Sequence, residues 1–340
     1  MKWRDLAVFP GIMLILALLF AGCATKIKTT MLAPAKSHEV ANVKRIAVLP
    51  FSGRGGDEVS ADVEALLVGI TVNGNPYFSV IEREALKRIL KEQRLHLTGA
   101  VDEATAVKVG KLIGAEGIIF GTVTQNTTED KRYSSRRSKC VSKDKDGKCK
   151  SRREYTVSCT ERDAFFSFVP KVVSVATGQI VASETLTGQS SDKGCRDSGT
   201  LKGRQELLVE AKGQALSKFR LIMAPYNVSM EIVLLDDDDS DPPDEAEDRI
   251  ERGIEWAKAG RMDRACELWH EAADIHPKGY VIPYLLGVCA ETTGDLDAAL
   301  KCYQKADRMT GEPVGEINKA LTRIRGRIGK EKRLEQQLQR

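Results

Sequence analysis

Eight cysteines, four histidines, a glycine-rich turn and an acidic run are the places where this 340-residue chain could do chemistry. Cys140, Cys149, Cys159 and Cys195 lie in polar, charged sequence. Four thiolates suit zinc, yet the paired CxxC spacing of structural zinc sites is missing. Exposed reduced thiols would serve nothing, so these four are disulfide candidates in an oxidising compartment, with two bridges expected and their pairing open. Cys266, Cys289 and Cys302 fall at helical positions, where a thiol packs as a small apolar side chain. His38, His96, His270 and His276 are scattered, with no HExxH pair and no nucleophile elbow beside them. The turn SGRGGD, residues 52–57, could cradle phosphate at a helix start. It lacks the Gly-Lys-Ser/Thr ending of a P-loop and the full GxGxxG pattern, and reads as a turn that opens a helix. Residues 236–248 hold nine acids and no base. They lack the spaced ligands, Gly and terminal Glu of a calcium loop, and read as a solvated linker. The expectation is a protein without catalytic residues, metal or cofactor.

The elements that would position such groups alternate strand and helix from Lys44 to Gln125. Arg45–Phe51 (RIAVLPF), Phe78–Ile81 and Gly117–Val123 are short apolar runs. Between the last two, one helix presents Leu86, Ile89 and Leu90 at helical spacing. A second presents Ala104, Ala106, Val107, Val109, Leu112 and Ile113 before a stop near Gly114. Ala164–Val175 and Gln179–Thr187 read as a hairpin around Ala176-Thr177-Gly178, with Pro170 marking an edge or a bulge. A helix follows over Leu201–Met223. Asn227–Leu235 then alternates Val228, Met230, Ile232 and Leu234 and is expected to close the sheet. The fold class is α/β, a sheet covered by helices.

Two insertions interrupt this layer, at 126–162 and 188–203. Between Lys131 and Arg153 stand eleven Lys/Arg against two Asp, and Asp146-Gly147 is a hairpin-turn signal. At the start of the chain, Lys2 and Arg4 precede the apolar Ile12–Ala21, and Phe20-Ala21-Gly22-Cys23 resembles a lipobox. The apolar run is shorter than the about 20 residues of a membrane span, so residues 1–22 read as a lipoprotein signal and Cys23 as the acylated residue. Ala24 after it favours the outer membrane, and 23–42 reads as a flexible tether. Losing 1–22 lowers the formal charge from +4 to +3, which says little about partners. Behind an export signal, the basic insertion points to anionic lipid, lipopolysaccharide or an acidic protein surface, and away from nucleic acid.

IAVLPF, FSVIER, KEQRLHLTG, KLIGAEGIIFGTV and VSVATGQIVASE together resemble the curli secretion channel (CsgG) family over Lys44–Leu235. The resemblance implies an outer-membrane lipoprotein or a periplasmic assembly factor, often a ring, and marks a fold more firmly than an activity. Channel members insert two hairpins per subunit into the outer membrane. Here the first insertion puts basic residues where an apolar face would be, and the second is too short for two membrane strands. A scaffold or assembly role is therefore favoured, with a subunit of a curli-type secretion channel as the alternative.

In the last hundred residues, Gly253, Trp256, Gly260, Ala265, Trp269, Ala272 and Pro277 match the tetratricopeptide (TPR) pattern. Shifted by 34 residues, Gly287, Ala290, Gly294, Ala299, Tyr303 and Ala306 repeat it. Such repeats imply a groove for a protein partner, and Glu316–Ile328 would cap the stack. The expected order is signal (1–22), tether (23–42), CsgG-like α/β domain (43–235), acidic linker (236–248), all-α TPR domain with its cap (249–330) and charged tail (331–340). The whole reads as a homo-oligomeric lipoprotein on the periplasmic face of the outer membrane, membrane-bound through its lipid.

Overall fold

The computed structural model describes residues 25–92 and 101–339. Cys23 with the signal segment, His96 and most of KEQRLHLTG lie outside the described residues. The chain divides into an α/β unit, residues 34–226 with 333–339, and a helical unit, residues 25–33 with 227–332.

The tether is corrected first. Lys26–Ala33 is a strand, β1, and Glu39–Asn42 is a 3-10 turn. Ile27, Ala33, Ala35 and Val40 are all buried. They are too sparse and unevenly spaced to show a period, so the order they bring is invisible in the sequence.

In the α/β unit, β2 (Arg45–Ser52) runs parallel to both β5 (Ser79–Val80) and β6 (Gly117–Lys143). A separate small hairpin, β3 (Thr71–Val72) and β4 (Asn75–Pro76), follows the first helix, α1 (Gly56–Val68). β6 pairs antiparallel with β7 (Cys149–Ser174), whose other edge takes β8 (Ile180–Ser183) and then β9 (Leu186–Cys195). Both faces of the sheet are covered. On one, Val63 and Leu67 of α1 and Ala211 and Phe219 of α4 (Arg204–Met223) meet Ile119, Phe166 and Phe168. On the other, Leu86 of α2 (Arg83–Glu92) and Val109 of α3 (Glu103–Ile113) meet Ile118, Phe120 and Val173. Successive strand residues face opposite layers, which explains why Ile118, Ile119 and Phe120 are apolar without alternation.

Local chemistry places the ends. Asp102 caps α3 by accepting the Thr105 N–H at 2.7 Å, and Gly114 closes it in the left-handed conformation that glycine tolerates. A Cβ at Gly56 would collide with the Phe51 carbonyl oxygen, so the glycine-rich turn is required by close backbone approach. Pro170 sits in an inner strand, opposite Gly121, and not at an edge. On its other side the neighbouring strand is interrupted between β8 and β9, where a missing N–H costs no ladder bond.

The hairpin signalled by Asp146-Gly147 is present in the basic insertion, and β6 and β7 stay paired through it to Lys143↔Cys149. Asn227–Leu235, expected to close the main sheet, does not do so. β10 (Tyr226–Val233) pairs with β1 in a two-stranded sheet of its own. Alternation fixed which residues face inward, and could not name the partner strand.

The helical unit stacks α5 (Asp244–Lys258), α6 (Met262–Ile275), α7 (Val281–Thr293), α8 (Leu296–Met309) and α9 (Gly315–Leu338). Its core joins Ile27 and Ile232 of the small sheet to Ile254, Trp269, Leu285 and Tyr303. The linker is shorter than expected, since Asp244, Glu245 and Glu247 form the first turn of α5, where the helix dipole favours carboxylates. The cap is longer, and the charged tail is its continuation. Gln337 is buried in the α/β unit, its side chain accepting the Ala35 N–H at 2.8 Å.

A Cβ at Gly188 would collide with the Ala211 carbonyl oxygen of α4, a backbone atom that cannot rotate away. Gly188→Ala is expected to cost about 1–3 kcal/mol, read as a lower urea midpoint at unchanged slope.

Candidate functional site

Two parts of the molecule gather chemistry-bearing side chains. The first is the helical unit. Gly253 of α5 lies where a Cβ would strike the Trp269 indole of α6, and Trp269 Nε1 donates to the Ile250 carbonyl at 3.2 Å. One repeat later, a Cβ at Gly287 of α7 would come within 2.6 Å of the Tyr303 ring of α8. Ala265 and Ala299 are fully buried at the same crossings. Each helical hairpin is thus closed by an aromatic ring laid on a glycine. Trp256 remains 38 % exposed, near Arg261, and Pro277 is exposed in the loop after α6.

The second crossing carries a buried charge. Glu291, 1 % exposed, accepts the Tyr303 hydroxyl at 2.7 Å and Arg323 Nε and Nη2 at 2.9 and 2.8 Å. Arg327 Nη1 adds a bond at 3.0 Å. Burial pushes the Glu291 carboxyl up, but the bonds from Arg323, Tyr303 and Arg327 outweigh it and hold the group below the usual carboxylate range. Burial and the Glu291 charge both raise the Tyr303 phenol. Sequence reasoning missed this cluster. Its one visible signal is a lone carboxylate at the end of the otherwise apolar run Val281–Ala290.

Beside α5 lies a cavity of about 820 Å³, walled by Asp236, Asp237, Asp239, Glu247, Glu251 and Glu255, with Lys258 and Lys278 at its margin. Asp238 and Ser240 line it too, and His276 Nε2 lies 3.0 Å from Ser240 Oγ. Serine, histidine and aspartate are therefore close, but in the wrong order for acyl transfer. Asp238 accepts the Ser240 N–H at 2.9 Å and the Val281 N–H at 2.8 Å, and so caps α7. Burial raises its carboxyl, and those bonds from Ser240 and Val281 outweigh it and lower it. His38 and His270 are exposed.

The second part is the arm formed by the outer halves of β6 and β7. At its root, charges are paired: Arg162 Nε and Arg204 Nη2 meet Asp130 at 2.7 and 2.8 Å, and Lys131 meets the buried Asp163 at 3.1 Å. Arg162, then Arg204, hold the Asp130 carboxyl well below its usual range. Cys159–Cys195 bridges β7 to the end of β9, and Cys140–Cys149 closes the tip. Cys266 and Cys289 form a third disulfide, between α6 and α7, where thiols packed as small apolar groups were expected. Helical spacing had disclosed that both face the core, and nothing in it discloses that they face each other. Cys302 is free. Among the described residues, no cluster of His, Cys, Asp or Glu has a geometry that could hold a metal ion.

A family model described as "Curli production assembly/transport component CsgG" matches residues 40–219. The chain belongs to the CsgG family. The match spans β2 through most of α4, with the arm inside it. Comparison with curated proteins finds no match. Among solved structures, the PelC dodecamer from Paraburkholderia phytofirmans is 13 % identical, covering 58 % of this chain and 98 % of that one at a TM-score of 0.25. Lipoprotein GNA1162 from Neisseria meningitidis is 17 % identical, covering 49 % and 90 % at 0.25. The second TPR of Spaghetti (RPAP3), bound to an HSP90 peptide, is 18 % identical, covering 28 % and 88 % at 0.24. Similarities this low carry no argument here; CsgG-family membership rests on the family model.

Because the folded Glu291 carboxyl is depressed, its stabilisation is fully present above the unfolded value of about 4.3 and is lost as pH falls through the folded value. Glu291→Gln leaves Arg323 and Arg327 without their carboxylate and is expected to cost the helical unit about 3–5 kcal/mol at neutral pH. Urea unfolding at pH 7 and pH 3 checks it, the gap between wild type and variant narrowing at the lower pH.

Proposed function

We propose that this protein is a lipoprotein of the bacterial envelope, held through Cys23 on the periplasmic face of the outer membrane, that acts as a scaffold or assembly factor in envelope biogenesis or secretion. Its CsgG-family domain self-associates, as family relatives do. Its helical repeats, of TPR type, recruit a protein partner through their groove. Gly253, Ala265 and Trp269, with Gly287, Ala299 and Tyr303, build that repeat, while Trp256 and Pro277 stay at its surface. No part of this role calls on a catalytic residue.

The observation that carries the scaffold reading, against the channel alternative, is the chemistry of the arm. A membrane strand needs about 9–11 residues with an apolar outward face. One face of β6 runs through Arg132, Ser134, Arg136 and Ser138, and the other through Tyr133, Ser135, Arg137 and Lys139. Neither can meet acyl chains, since a single Arg at the bilayer midplane costs about 2–4 kcal/mol. Among the described residues, no helix is long and apolar enough to cross a membrane.

Four measurements test the role. Mass spectrometry of the native protein should find a cleaved, acylated Cys23, and Cys23→Ala should shift the protein from membranes to the soluble fraction. Sedimentation at micromolar concentration should give a multimer. Planar bilayers should show no conductance; single-channel steps would replace the scaffold with a pore.

A further inference from the structure

The arm beyond Cys159–Cys195 belongs to neither core. It is a two-stranded ribbon of about ten residue pairs, roughly 30 Å long at strand spacing. Isolated ribbons of this kind are marginal in water. This one is held by a disulfide at its root and another at its tip. The order those bridges impose is spent on presenting charge.

Of the eleven Lys/Arg between Lys131 and Arg153, only Lys131 and Arg137 have a carboxylate within 4.0 Å among the described residues. The root of the arm is different, for there carboxylates answer the cations. The register also sets Lys139 directly opposite Arg153, one row from the Cys140↔Arg152 row. Like charges facing each other across strands destabilise a ribbon. Here they are kept together beside the tip disulfide, with no acid to separate them. Lys139 Nζ lies 5.7 Å from the centre of the Tyr155 ring, and an anion from outside would relieve the remaining repulsion.

The placement of the cations indicates the shape of that anion. Arg132, Arg136 and Arg152 lie on one face of the ribbon, and Lys139 and Arg153 on the other. The turn adds Lys145 and Lys148. A planar bilayer meets one face or the tip, whereas a flexible chain reaches all three. The large apolar side chains exposed on the arm are Tyr133 and Val141, too few for membrane insertion. Single-stranded nucleic acid is bound through runs of aromatic stacking faces. The arm carries two tyrosines, and the Tyr155 hydroxyl is tied to Asp197 at 2.8 Å.

We propose that the disulfide-stapled arm, residues 131–159, is a binding rod for a carboxylated polysaccharide. A rigid cationic ladder loses little entropy on meeting its ligand, and the polymer's repeated carboxylates neutralise cations on both faces together. The proposal is independent of the scaffold reading, and requires neither lipidation nor self-association.

The test uses the full chain and fluorescein-labelled polygalacturonate, followed by anisotropy, with phosphatidylglycerol vesicles in a parallel titration. Polygalacturonate is expected to bind at low salt and to be released as salt rises past physiological strength, where screening acts beyond about 8 Å. A variant with Arg136→Gln, Lys139→Gln, Arg152→Gln and Arg153→Gln should bind at least about tenfold more weakly. Its melting temperature should be equal to or above that of the wild type, because the Lys139/Arg153 repulsion is gone. A control with Lys258→Gln and Lys278→Gln, two cations of the helical unit, should bind like the wild type. The proposal is overturned by absence of binding at low salt, by equal binding of the arm variant, by equal loss in the control, or by binding to vesicles without binding to the polymer.

Discussion

The α/β unit hangs on one ladder, the antiparallel pairing of β6 with β7 from Gly117↔Ser174 out to Lys143↔Cys149. Its inner half is the centre of the sheet, with β2 and then β5 on one side and β8 and β9 on the other. Because successive residues alternate between faces, Ile119 and Phe168 hold α1 and α4, while Ile118 and Val173 hold α2 and α3. A slip of one residue would exchange these layers and carry every apolar side chain to the wrong helices. The outer half of the same ladder buries little beyond Val157 and Cys159. Its register is set by continuity with the core and by the Cys140–Cys149 bridge between β6 and β7, so the positions of the cations are inherited from the packing of the inner half.

The helical unit meets a different constraint. Two short helical hairpins bury little surface, and each closes by setting a ring on a glycine, Trp269 on Gly253 and Tyr303 on Gly287. The two rings satisfy their polar atoms differently. The Trp269 indole finds a backbone carbonyl within its own hairpin. The Tyr303 hydroxyl instead meets Glu291, whose remaining capacity is filled by Arg323 and Arg327 of α9. A buried carboxylate is unfavourable unless paired, so its presence ties the last helix to the second hairpin in one orientation. An apolar replacement of the cluster could match its stability and would lose the directional bonds.

How much of this was legible in the sequence depended on how local the signal was. Asp102 and Gly114 bracket α3, and the short apolar runs marked β2 and the inner part of β6, because caps and periods act within a few residues. The 34-residue return of Gly, Ala and aromatic positions likewise disclosed two helical hairpins. Pairing partners were not legible. Val228, Met230, Ile232 and Leu234 show a strand with one buried face, and nothing in them distinguishes β1 from the main sheet as its neighbour. Cys266 and Cys289 failed for the same reason, since their contact is a property of how two helices pack. The basic insertion lacked apolar alternation, and its strand character comes from the ladder it extends and the bridges that hold it.

The near-zero balance of the chain conceals a strong segregation of charge. Acids collect in Asp236–Asp241 and the first turn of α5, and the bases of the arm stand with few acids among them. Within the helical unit the acids have local work: Asp238 caps α7, and Asp244 and Glu245 stabilise the start of α5 through its dipole. Of the arm's cations, Lys131 and Arg137 have carboxylate partners, while the Lys139/Arg153 row is an internal cost. At physiological ionic strength charges act over about 8 Å, so a net value of +4 says little about what the molecule attracts. What counts is the field within one Debye length of each part, where a concentrated set of one sign raises the rate of encounter with an opposite partner more than it deepens the final affinity. A ribbon standing away from the core, with cations on both faces, therefore captures ligand from a wider solid angle than the same charges on a flat sheet would.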